Sequence, residues 1–185
     1  MDEAIAGQRA VFFVDAAHFV WGAFLAWVWC LTRRWIKAPC GRQRFHVLGA
    51  INASTHEVVT ITKTTYINAP CVCELLEKLA TLPLGLPITL VFDHARYQRC
   101  ALVDACAQRL GIELLFLPAY SPNLNLIERL WKFVKKQCLH AKYDANFIAF
   151  TNAIERCLGE TQTTHKAALS SFLTLNFQTF ENAQI

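Results

Sequence analysis

Two short runs of β-forming apolar residues in this 185-residue chain each run into an aspartate. Ala10 to Val14 (AVFFV) leads to Asp15, and Ile88 to Phe92 (ITLVF) leads to Asp93. Such runs predict short strands of a buried sheet. A carboxylate at the end of an apolar strand needs a reason. Strand ends lying side by side in an α/β sheet bring their side chains to one edge, where such sheets usually place their sites.

The segments between these strands set the fold class. Phe24 to Leu31, with Trp27 and Trp29 at spacing two, reads as a strand, as do Arg44 to Ile51 and Val58 to Thr64 around an Asn52–Thr55 turn. The period then changes. Asn68 caps a helix from Ala69 to about Leu82, with Val72, Leu75, Leu76 and Leu79 on one face. A helix from about Gln98 to Leu110 closes at Gly111, and Ile112 to Leu117 is the next strand. Ser121 and Pro122 predict the start of a helix carrying Leu124, Ile127, Trp131, Val134 and Cys138 as an apolar seam. Further helices are expected over Asp144 to Leu158 and about His165 to Leu173. Antiparallel strands followed by alternating helices and strands make an α/β domain with a mixed sheet. The length suits one domain over residues 1–185, with 159–185 as a helical tail of that domain.

Apolar residues make up 54% of the chain and charged residues 17%, which argues against disorder or a coiled coil. Ala16 to Thr32 carries no formal charge and is followed by Arg33, Arg34 and Lys37, a flank that a membrane span would also show. A span needs about 20 apolar residues, and His18 and Gly22 interrupt this stretch, so a buried element is the better reading and no membrane is expected. Asp2 and Glu3 stand where a secretory signal would be basic. The eight cysteines form no Cys-x-x-Cys pair and have no histidines at zinc-finger spacing; they read as free thiols in a reducing cytoplasm.

The net charge is +4, unevenly spread. Arg33, Arg34, Lys37, Arg42 and Arg44 lie in one acid-free block, and Arg129, Lys132, Lys135, Lys136 and Lys142 in another. Such blocks suit either a solvated face or contact with a polyanion such as DNA. A third acid, Glu128, lies on the predicted helix after the last strand, with 34 residues between it and Asp93. Each acid has an ordinary reading: a turn for Asp15, a helix cap for Asp93, a surface pair with Lys132 for Glu128. Taken together, two strand ends and a helix could gather three carboxylates that would repel unless a cation sat among them. Hard oxygen ligands suit Mg²⁺ or Mn²⁺.

Four segments carry a resemblance. YSPNLNLIERLWKFVKK (Tyr120 to Lys136) resembles the block around the catalytic glutamate of mariner-type bacterial insertion-sequence transposases. LVFDHARYQRC (Leu90 to Cys100) resembles the block around their second catalytic aspartate, VFFVDAAHF the strand with the first, and IKAPCGRQRFHVLGAIN the hairpin region that follows. The resemblance implies an RNase H-like fold with a mixed five-stranded sheet, three antiparallel strands then parallel ones, flanked by helices. It implies DNA cleavage and strand transfer, with Asp15, Asp93 and Glu128 as catalytic residues and as ligands of Mg²⁺ or Mn²⁺, two ions in all. His94 and Asn125 would support the site, and the basic residues named above would contact DNA. His94 stands where the family commonly has Asn, and Leu126 where many members have Pro. The implied partners are transposon ends and target DNA, with a homodimer allowed by such an assembly. The family's N-terminal helix-turn-helix region has no counterpart before the first strand, so sequence-specific recognition is expected to be absent or supplied by an N-terminal half in trans. The alternative is a decayed or truncated fragment that binds DNA non-specifically without catalysis.

Overall fold

The computed structural model describes residues 2–22, 31–32, 43–93, 95–118, 124–140, 142 and 144–173. Among these a short helix α1 (Asp2–Ile5) precedes β1 (Ala10–Val20), β2 (Arg44–Asn52) and β3 (Val58–Lys63). Then follow α2 (Ala69–Ala80), β4 (Ile88–Phe92), α3 (Ala101–Leu110), β5 (Ile112–Phe116), α4 (Ile127–Cys138), α5 (Phe147–Gly159) and α6 (Lys166–Phe172). The strands form one sheet in the order β3-β2-β1-β4-β5. β1, β2 and β3 pair antiparallel, while β4 joins β1, and β5 joins β4, in parallel. Five residues join β2 to β3, whereas the parallel strands are reached through the crossover helices α2 and α3. The mixed five-stranded sheet expected from the sequence is the one observed.

Helices cover both faces. On one, Val72, Leu75, Leu76 and Leu79 of α2 and Val103 and Ala107 of α3 pack against Phe12, Val14, Leu48 and Leu90. On the other, Ile127, Leu130, Trp131 and Val134 of α4 pack with Phe13, Phe19, Val47 and Ile51, and Ile154 and Leu169 bring α5 and α6 into the same core. Two of the expected caps form. Asn68 accepts from the Cys71 N–H at 3.2 Å, and Gly111 ends α3 with φ of 66°, a left-handed conformation that favours glycine. No helix among the described residues is long and apolar enough to cross a membrane.

Three expectations need correction. Asp15 does not end its strand: β1 continues to Val20 because β2 stays paired with it as far as Val20 opposite Arg44. The small and polar residues Ala16, Ala17 and His18 look like a break in the sequence, but an antiparallel neighbour satisfies their backbone. The helix carrying Glu128 starts at Ile127 with Leu126 at its cap, later than predicted; Ser121 and Pro122 lie outside the described residues. α3 starts at Ala101 rather than at Gln98, which lies in the turn before it. The expected strand from Phe24 lies outside the described residues, apart from exposed Leu31.

Candidate active site

The sheet register brings Asp15 and Asp93 together. The parallel pairing of β1 with β4 ends at Val14 opposite Phe92. Each aspartate is the next residue on its strand, at the carboxyl edge that α/β sheets use for sites. β4 stops there while β1 runs on to Val20. Side chains alternate along β1, so Asp15 shares a face with Phe13 and Phe19, the face covered by α4. Glu128, in the first turn of α4, is half-buried above that face.

Asp15 is mostly buried, and its carboxyl is pushed up from the ordinary 3.8 to about 7. Burial is the main cause, and the negative charges of Asp93 and Glu128 add to it. Hydrogen bonds from the Ala16 N–H and the Trp131 indole act in the opposite direction. Asp93 and Glu128 thus both stand within electrostatic reach of Asp15. They do not converge further: no three His, Cys, Asp or Glu side chains among the described residues are close enough to enclose a cation. No ion pair among the described residues involves any of the three acids, so the surface pair of Glu128 with Lys132 is not formed. Asp93 takes a local bond instead, accepting the Ala95 N–H at 3.3 Å.

Two bonds dock α4 onto β1 on either side of Glu128. Asn125, 3% exposed, donates through Nδ2 to the Val14 carbonyl at 3.4 Å and accepts the Ile127 N–H through Oδ1 at 3.4 Å. It therefore ties the start of the helix to the residue before Asp15. Trp131, one turn beyond Glu128, donates from Nε1 to Asp15 Oδ2 at 3.1 Å. Reading the sequence puts Trp131 in the core, and it is 2% exposed, but its polar edge belongs to the site. The only hint available was its place three residues after Glu128, on the same side of the helix. Tyr97 was also missed. Its phenol is pushed above its ordinary value by burial and by the charges of Asp15 and Asp93, so it stays protonated near them.

The remaining predicted residues are dispersed. Lys132 and Lys136 are exposed on α4, Lys135 is half-buried in its last turn, and Arg129 is half-buried. Arg44 is exposed at the start of β2, opposite Val20. His94, Arg33, Arg34, Lys37 and Arg42 lie outside the described residues. His18 projects from the opposite face of β1 to Asp15, against His46 at 6.3 Å between ring centres, and takes no part in the cluster. Cys71, Cys73, Cys100, Cys106, Cys138 and Cys157 are free thiols, as the spacing suggested.

A family model described as DDE superfamily endonuclease matches residues 31–148. No curated protein matches the chain. Among solved structures, the Mos1 strand transfer complex is similar with a TM-score of 0.55 at 14% identity, over 95% of this chain and 56% of that one. The Mos1 mariner paired end complex with Mn gives 0.55 at 11% identity, over 93% and 57%. The HTLV-2 integrase catalytic core domain in complex with magnesium gives 0.58 at 12% identity, over 83% and 86%. These likenesses establish the fold, which is that of RNase H-like transposase and integrase catalytic domains. The chain spans just over half the length of the Mos1 chains it resembles.

Proposed function

The chain belongs to the DDE superfamily endonucleases, and on that premise we propose that it is the catalytic domain of a mariner-type transposase, cutting DNA at transposon ends and joining them to a target. Asp15, Asp93 and Glu128 are the catalytic carboxylates and hold divalent metal. The observation that carries this reading is the register of β1 and β4, which ends at Val14 opposite Phe92 with an aspartate next on each strand. Trp131, on the same helix as Glu128, reaches across to the first of those aspartates.

The donor chemistry suits a hard cation: all three side chains offer carboxylate oxygens, and the charges of Asp93 and Glu128 both act on Asp15. As they stand the three carboxylates do not enclose an ion, so binding would require them to close on it. The Mos1 and HTLV-2 structures contain manganese and magnesium, which supports the same metal class here. Bound at these oxygens, one or two such ions supply activation of a water or DNA 3′-hydroxyl and stabilisation of the leaving oxygen in an in-line phosphoryl displacement. The chain's own residues set the geometry. Asp15 sits mostly buried beside the end of β4, and Asn125 and Trp131 hold α4, with Glu128, against β1. No side chain is needed as a nucleophile. Lys132, Lys135 and Lys136, with Arg44 and the basic residues of 33–42, give salt-sensitive contact with the phosphate backbone.

Purified chain with Mn²⁺ should nick supercoiled DNA, and Asp93→Asn should abolish nicking while leaving the circular dichroism spectrum unchanged. Equal nicking by wild type and variant would sink the assignment.

A further inference from the structure

The Trp131 indole is packed between Gly49 and Phe19 with its N–H turned to Asp15. Gly49 lies directly opposite Asp15 in the β1–β2 register. A Cβ built on Gly49 would stand 2.7 Å from Trp131 Cη2, 3.0 Å from its Cζ2 and 3.1 Å from Ile127 Cδ1. The ring therefore occupies the space that any other residue at position 49 would fill. Phe19, from the same face of β1, meets the ring edge-on at 6.3 Å between centres. With the ring fixed on these sides, its single donor reaches Asp15 Oδ2 at 3.1 Å.

The chemistry of that donor matters. An indole N–H offers one hydrogen and no charge. A lysine or arginine there would neutralise the carboxylate and compete with a cation. The indole fixes one oxygen and adds no positive charge that would compete with a cation. Glu128 is three residues earlier on the same helix, about 4.5 Å along its axis. Seating Trp131 over Gly49 thus sets the position of Glu128 relative to Asp15 as well.

We propose that Trp131, seated in the space left by Gly49, is a positioning residue that orients Asp15 and sets the height of Glu128 for divalent-metal binding. This rests on the reading of the three acids as metal ligands. Groups that orient metal ligands from behind commonly change affinity by about 10–100-fold when removed. Trp131 is expected to act in that range, although it touches neither metal nor DNA.

The test uses the whole chain and Mn²⁺ alone, with bound ion measured by electron paramagnetic resonance. Trp131→Phe keeps an aromatic ring and removes the N–H; it should weaken Mn²⁺ binding about tenfold or more. Gly49→Ala, whose Cβ would stand 2.7 Å from Trp131 Cη2 and so must push the ring aside, should weaken it in the same direction. Leu130→Ala, on the neighbouring buried position, should lower the thermal midpoint yet leave the Mn²⁺ affinity of the folded protein unchanged. Asp15→Asn should remove the tight site. If Asp15→Asn loses the ion while Trp131→Phe binds as wild type does, the positioning role is overturned and the metal site stands. If Asp15→Asn binds as wild type does, the metal reading itself falls. Should Trp131→Phe not fold, the wild-type indole N–H signal of Trp131 decides by nuclear magnetic resonance. It should move on titration with Mg²⁺ in wild type and stay still in Asp15→Asn; a signal indifferent to Mg²⁺ in wild type overturns the proposal.

Discussion

Replacing Asp15 by Asn should make the metal-free protein more stable while destroying its activity. In the folded chain the carboxyl is raised from 3.8 to about 7, chiefly because burial disfavours its charged form. An acid raised in this way binds its proton more tightly folded than unfolded. Its contribution to stability is fully present below pH 3.8 and is lost as pH rises through 7. A shift of about three units at 1.36 kcal/mol each amounts to about 4 kcal/mol of destabilisation at pH 8, shrinking to about 2 kcal/mol at pH 5. Asn removes the charge and keeps an acceptor for the Trp131 N–H. The variant should therefore gain about 2–4 kcal/mol over wild type at pH 8 in chelator, and distinctly less at pH 5. Urea unfolding at both pH values measures this directly, provided the slope with denaturant is unchanged. Adding Mg²⁺ should close the gap from the wild-type side, because a ligand that binds only the folded state stabilises it. A variant less stable than wild type at pH 8, or a gap that does not narrow on acidification, would refute the reasoning. The site would then be stabilised by Asp15 as it stands, not strained by it.

Other expectations follow from single contacts. Asn125→Ala removes the bond to the Val14 carbonyl and the cap on the Ile127 N–H; it should cost about 1–2 kcal/mol in unfolding experiments and lower Mn²⁺-dependent nicking further than that loss explains. Lys132→Gln combined with Lys136→Gln removes two exposed charges from α4. The pair should weaken binding to duplex DNA of any sequence and reduce the slope of log affinity against log salt by about 1.8, read by fluorescence anisotropy over a salt series.

Local pattern made much of the sheet legible. Apolar runs marked β4 and β5 and the first half of β1, and side-chain chemistry marked the Asn68 cap and the Gly111 stop. The second half of β1 was not legible, because Ala16, Ala17 and His18 have no strand signature of their own. They are extended because β2 pairs with them. The start of α4 was misread for a similar reason. Ser121 and Pro122 have the chemistry of a helix start, yet the helix begins where Leu126 and Ile127 enter the core.

The site divides in the same way. Sequence alone determined which carboxylates were candidates, since an aspartate after an apolar strand and a glutamate beside an apolar seam are anomalies of local composition. Whether the three meet depends on strand order and register, and only the tertiary structure decided that β1 lies beside β4 with Asp15 and Asp93 next in line. It alone decided that Trp131 has a partner 116 residues away and that Gly49 makes room for it. The physical reason is range. Turn chemistry and hydrophobic period act over a few residues, whereas a buried charge is set by groups brought near it through the whole fold.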